Sequence, residues 1–162
     1  MTLKDYFKHE ERGFTPWLAV NSHIIRDILN DSSARLYKRE FRIDGFYIDL
    51  LYQGKKGTIV VENQFGESDH DHLGKVISYS SLVRSPVCIW IAESFRREHL
   101  KIQESLTPDV YLVSCMLEND EKNDDIYMKL VIESKETSRV LLYRVGETAE
   151  KMYDSGIKDI EN

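Results

Sequence analysis

The stretch VVENQFGESDHDHLGKVISYSS, residues 60–81, passes from an apolar strand to an amphipathic helix through a turn dense in polar and charged side chains. The strand begins near Thr58, and its continuous run Ile59-Val60-Val61 predicts burial on both faces. In the helix, apolar residues at Leu73, Val76, Ile77 and Val83 predict one buried face up to Arg84, with Pro86 as the stop. Ser68-Asp69-His70-Asp71 has the spacing of a capping box, with Ser68 as N-cap, Asp71 reaching back and Asp69 against the positive end of the helix dipole. Glu62 is the chemical problem. A carboxylate at the end of a doubly buried strand must be paired, solvated or metal-bound to offset its desolvation.

Upstream, apolar residues at Trp17, Leu18, Ile24, Ile25, Ile28 and Leu29 recur with helical spacing, which predicts one helix from a Thr15 cap and Pro16 to about Asn30. From Leu36 to Tyr52 the pattern is extended, folded back at Asp44-Gly45, and a second turn covers residues 53–57. Downstream, Val87 to Ala92 reads as a buried strand, Ser94 to Leu106 as a helix, and Val110 to Leu117 as a strand paired with Ile126 to Glu133. The order of elements indicates an α/β domain, a mixed β-sheet flanked by α-helices, over residues 1–146. Residues 147–162 are polar and read as a C-terminal tail, a frayed helix or a connection to a separate effector partner.

The chain has 162 residues, 41% hydrophobic, enough for one core. No run approaches the roughly 18 apolar residues of a membrane span, and MTLKDYFKHEER has no apolar signal core, so the expected location is cytoplasmic with no membrane partner. Cys88 and Cys115 lie in apolar runs and suit small buried side chains. A net charge of −6 argues against coating nucleic acid by bulk electrostatics. Local basic clusters at Arg35, Lys38, Arg39 and Arg42, at Lys55 and Lys56, and at Arg96, Arg97 and Lys101 leave a confined contact open, beside the plainer reading of solvated faces.

Asp49 lies in the second strand and Glu62 ends the third, with twelve residues between them. If the two strands are antiparallel neighbours, the carboxylates converge at one sheet edge, and alternation places Gln64 on the face of Glu62. Asp49, Glu62 and the Asn63 carbonyl then form an oxygen donor set for Mg²⁺. Such a site lowers the pKa of a bound water and stabilises charge on a phosphodiester.

The hairpin, the Asp, the strand and the Glu-x-Gln followed directly by a helix resemble the core of the PD-(D/E)XK nuclease superfamily. A narrower resemblance is to a branch of bacterial and archaeal proteins, carried by FTPWLA at 14–19, REFRIDGFYIDLL at 39–51, VVENQFGESDHDHLGKVISYSS at 60–81 and VCIWIAESFRREHL at 87–100. The resemblance implies a restriction-endonuclease-like fold, Mg²⁺ or Mn²⁺ held by Asp49 and Glu62, and hydrolysis of nucleic acid, DNA rather than RNA, by a metal-dependent endonuclease. Dimerisation is common in that fold, so a homodimer is among its implications. Gln64 stands where the wider superfamily has lysine; it can orient a water or phosphate but carries no charge. Lys75, two turns into the following helix and one turn from Tyr79, is the candidate substitute. The branch commonly has an acid at the position of Val20, which this chain lacks. The competing reading is a nuclease-fold module with little catalysis, serving nucleic-acid binding or protein interaction.

His70 and His72, two residues apart, point to different sides of a helix and cannot share a metal from within it. His72 suits a phosphate contact or a brace, and His99 reads as a surface histidine among basic neighbours. Trp17 and Trp90 suit packing.

Overall fold

The computed structural model describes residues 1–156. Eight strands form one sheet in sequence order: β1 (Arg35–Ile43), β2 (Phe46–Gly54), β3 (Gly57–Asn63), β4 (Val87–Ala92), β5 (Asp109–Asp120), β6 (Asp125–Glu133), β7 (Ser138–Val145) and β8 (Glu150–Asp154). The β3–β4 and β4–β5 pairs are parallel and the other pairs antiparallel. Parallel neighbours need crossovers, and helices α4 (His70–Val83) and α5 (Arg97–Ile102) supply them.

Two core layers sandwich the central strands. One holds Val61, Ile89, Ile91 and Val113 against α1 (Leu3–Phe7), α2 (Thr15–Val20) and α3 (His23–Leu29). The other holds Val60, Cys88, Trp90 and Leu112 against Val76 and Tyr79 of α4. Burial on both faces is what the run Ile59-Val60-Val61 predicts, and all three are buried. On β6 burial alternates residue by residue, the mark of a strand with one packed face.

The Asp44-Gly45 turn is where the sequence places it, with φ of 49° and 79°, the double left-handed geometry that a two-residue hairpin requires. Several other expectations are corrected. The single helix from Thr15 to Asn30 is two, broken at Asn21, whose side chain bonds to the Trp17 carbonyl, the Glu147 carbonyl and the Ala149 N–H instead of leaving the backbone to run on. Thr15 is not a cap; helical residues precede it, and its hydroxyl accepts from Asn63 Nδ2. The helix expected from Ser94 to Leu106 is the shorter α5 followed by a 3₁₀ turn, Gln103–Ser105. Residues 150–154, expected in a tail or helix, are strand β8, paired to β7, while residues 157–162 lie outside the described residues. Cys88 and Cys115 are buried and unpaired, as expected.

Candidate metal and catalytic site

The β2–β3 ladder runs from Gly54↔Gly57 to Leu50↔Val61 and stops. Asp49 is the next residue, and its Oδ2 accepts the Asn63 N–H at 2.9 Å, a bond that a strand carbonyl would otherwise take. Ile48 and Leu51 belong to one core layer and Leu50 and Tyr52 to the other, so the side-chain alternation slips at Asp49. On the far side, between the pairs Arg39↔Leu50 and Phe41↔Ile48, Glu40 adopts φ 50°, a strained conformation for a residue with a side chain. These irregularities turn Asp49 toward a cavity of about 290 Å³ lined by Glu11, Thr15, Glu40, Tyr47, Ile48 and Asp49 itself.

Glu62 stands at the end of β3 beside Asp49, 4% exposed, as antiparallel pairing predicts. Burial pushes the Glu62 carboxyl far above the usual range, Asp49 pushes it further, and Lys75 pulls against them. Asp49 is raised by burial too, against the Asn63 hydrogen bond, with Glu10 and Glu11 adding to the rise. Two carboxylates this close cannot both ionise cheaply without a cation. Glu62 Oε2 and the adjacent Asn63 Oδ1 are also buried without a hydrogen-bond partner among the described residues. A buried orphan carboxylate oxygen beside a second carboxylate fits a hard divalent cation such as Mg²⁺ or Mn²⁺, whereas the Asn63 side chain, bonded to Thr15, leaves β3 on the opposite face.

Gln64 departs from its expected role. Its Nε2 donates to the Glu67 carbonyl at 2.8 Å and to Asp69 Oδ2 at 3.1 Å, and its Oε1 accepts from Trp90 Nε1 at 3.0 Å. Both amide hydrogens are spent, and the side chain is 2% exposed. It ties β3 to β4 and to the start of α4 rather than offering its amide to water or phosphate.

Asp69, not Ser68, caps α4: its Oδ1 accepts the His72 N–H and lies 2.8 Å from His72 Nδ1. Burial works upward on Asp69, but these bonds outweigh it and hold the carboxyl below its ordinary range. His72 is thereby a brace at the helix start, within electrostatic reach of Asp49. Asp71 is exposed and pairs with Lys75 at 3.5 Å. Burial works to lower the Lys75 ammonium, yet the pull of Glu62 and Asp71 exceeds it and the net shift is upward. Tyr79, one turn on, is nearly buried and raised by burial and by Glu62. One face of α4 thus brings Lys75 and Tyr79 to the carboxylate pair. Asp69, Asp71 and His72 also place ligand atoms within 4.8 Å of one another, but two of the three are exposed, the helix cap accounts for Asp69 and His72, and Asp71 pairs with Lys75.

Ser68 and His99 have different partners from those expected. Ser68 Oγ accepts the Arg96 N–H and lies 2.6 Å from His99 Nδ1, and His99 Nε2 lies 2.8 Å from His70 Nδ1. His99 is buried rather than on the surface, and burial lowers its pKa.

Three acids near the site carry no clear signal in the sequence. Glu10 and Glu11 open a π-helical turn, Glu10–Phe14, that the 3.6-residue period does not anticipate. Gly13 makes that turn feasible, since a Cβ there would lie 2.1 Å from the Phe7 carbonyl oxygen. Glu10 Oε2 accepts the Phe65 N–H at 2.9 Å, and Glu11 lines the cavity. The N-terminal segment therefore supplies acids from this turn, while Val20 is 76% exposed. Glu40 is the third; its signal, an acid inside a basic strand, is present but weak.

No family model and no curated protein matches the chain. Among solved structures it is similar to one described as a repair endonuclease from Pyrococcus abyssi, at 17% identity and a TM-score of 0.50, covering 60% of this chain and 43% of that one. It also matches SfsA of Pyrococcus furiosus, solved in complex with Ca²⁺, at 15% identity and a TM-score of 0.42, covering 72% of this chain and 58% of that one. The matched region thus spans less than half of the endonuclease. The likeness to the endonuclease is one of fold, and the fold is the restriction-endonuclease-like one that the sequence motifs imply.

Proposed function

We propose that the chain is a divalent-metal-dependent phosphodiesterase acting on nucleic acid. The observation that carries this reading is the pair Asp49 and Glu62, side by side where a ladder ends, Asp49 half-buried at the cavity wall and Glu62 buried with a carboxylate oxygen unpartnered among the described residues. The similar fold described as a repair endonuclease offers phosphodiester hydrolysis as a precedent. Asp49, Glu62 and the main-chain carbonyl of Asn63 would hold Mg²⁺ or Mn²⁺. The ion would supply an acidified water and neutralise charge on the phosphate. Lys75 places the positive charge that Gln64 lacks on the Glu62 side of the site, where it stabilises negative charge growing on phosphate oxygens. Gln64 and Asp69 hold the strand end and the α4 start in register. His72 and Tyr79 border the site as candidate substrate contacts.

Melting temperature in EDTA and in millimolar Mg²⁺ or Mn²⁺ tests the metal site: the wild type should be stabilised by the metal, and Asp49→Asn should lose the response. Labelled single- and double-stranded DNA and RNA test the chemistry. Glu62→Gln should abolish cleavage, and Lys75→Ala should slow it about 10²- to 10³-fold while keeping the metal response. No thermal shift with metal, or cleavage indifferent to Glu62→Gln, would sink this reading.

A further inference from the structure

Strand β1 of the β1–β2 hairpin borders the site and carries charge of the opposite sign to the molecule as a whole. In a chain of net charge −6, β1 presents Arg35, Lys38, Arg39 and Arg42, all exposed, against one acid, Glu40. None of the four forms an ion pair among the described residues, although acids outnumber bases 28 to 22 overall. Two of them lie over aromatic rings instead: Lys38 Nζ is 5.7 Å from the Phe41 centroid and Arg42 Cζ is 4.8 Å from that of Tyr47. Three aromatic rings stand in solvent on the same hairpin, Tyr37 at 62%, Tyr47 at 51% and Phe46 at 49% exposed. Tyr47 also lines the cavity with Asp49, so the ribbon leads to that carboxylate. Among the described residues, β1 is the edge of the sheet and no strand lies beyond it to cover these groups.

We infer that this hairpin is the docking surface for a single-stranded polynucleotide, with phosphates along Arg39 and Arg42 and unpaired bases on the exposed rings. The inference rests on the phosphodiesterase reading for its orientation, since Tyr47 directs the strand to Asp49. Unpaired cations along an edge match the spaced charges of a phosphate backbone. Exposed rings stack only on bases whose faces are free, and a duplex hides those faces.

Binding to fluorescein-labelled single-stranded DNA, the same sequence as duplex, and single-stranded RNA, read by anisotropy in EDTA, separates this inference from catalysis. The wild type should bind a single strand more tightly than the duplex, and the DNA and RNA arms identify which sugar is preferred. The double variant Arg39→Gln/Arg42→Gln should weaken binding and flatten the dependence of log K on log salt by about 0.7 for each phosphate no longer neutralised. Tyr37→Ala should weaken it roughly 5- to 150-fold if a base stacks there. All three positions are exposed, and an unchanged melting temperature confirms that the variants are folded. Equal or tighter duplex binding, no binding to either single strand, or variants that bind like the wild type would each overturn the docking surface. Binding that follows these expectations without any cleavage in metal would leave the hairpin standing and remove only the phosphodiesterase reading.

Discussion

Gln64 shows how far a single residue's role depends on its neighbours. Read in isolation, it looks like a lysine position that has lost its charge, and restoring the lysine looks like a way to raise activity. In the fold its oxygen is the acceptor for the Trp90 indole N–H, deep between β3 and β4. A lysine could replace the two donated bonds, to Glu67 and Asp69, but it has no acceptor to give Trp90. Gln64→Lys should therefore lower stability by about 1–3 kcal/mol, the usual cost of orphaning a buried donor, without raising cleavage. Urea denaturation and a cleavage time course check both halves; a stable variant with a tenfold gain in rate would show that the ammonium reaches phosphate after all. Glu62 needs no such context. Its position at the end of an apolar run already marks it as a carboxylate with an unmet need, and in the fold one of its oxygens is buried without a partner among the described residues.

At the scale of elements, strands with strong patterns are legible and short or irregular pieces are not. The Asp44-Gly45 turn and the double burial of β3 follow from local rules, turn chemistry and an unbroken apolar run. The π-helical turn that delivers Glu10 and Glu11 has no periodic signature, so neither the turn nor its acids can be read in advance. Strand β8 is hidden for a different reason: its residues are mostly polar and exposed, and only pairing with β7 makes them a strand. Even so, β8 is no ornament, because Asp154 pairs with Arg139 at 3.2 Å, with side chains only 7% and 13% exposed. The loop before it donates the Ala149 N–H to Asn21 at the break between α2 and α3. Truncation after residue 146 should thus cost about 3–5 kcal/mol, the usual penalty for removing one partner of a buried ion pair. Equilibrium unfolding of the shortened chain measures it; a loss below about 1 kcal/mol, the worth of an exposed pair, would mean that the segment is a dispensable tail.

For the molecule as a whole, the acidic site ties stability to pH and to metal. Asp49 and Glu62 both sit above their ordinary range, chiefly because each is desolvated and, for Glu62, because Asp49 stands beside it. Groups raised in this way contribute fully below about pH 4, where folded and unfolded chains are both protonated, and lose that contribution as pH rises through the folded values. Metal-free protein should accordingly melt lower at about pH 8 than at about pH 5, and Glu62→Gln should flatten the decline. Added Mg²⁺ should stabilise more at the higher pH, since the ion competes with protons for the same carboxylates. Melting curves across that range decide it, and a metal-free melting temperature that does not fall with pH would contradict the coupled pair. The sequence by itself determined the α/β class, the central strands and the convergence of Asp49 with Glu62, because these follow from periodicity, turn residues and antiparallel pairing over short distances. Only the tertiary structure decided that Gln64 is a tie rather than a contact, that His99 is buried, and that Glu10, Glu11 and Glu40 surround the site. Each of those depends on groups far apart in the chain, or on a local break in regular geometry, and neither leaves a period for the sequence to display.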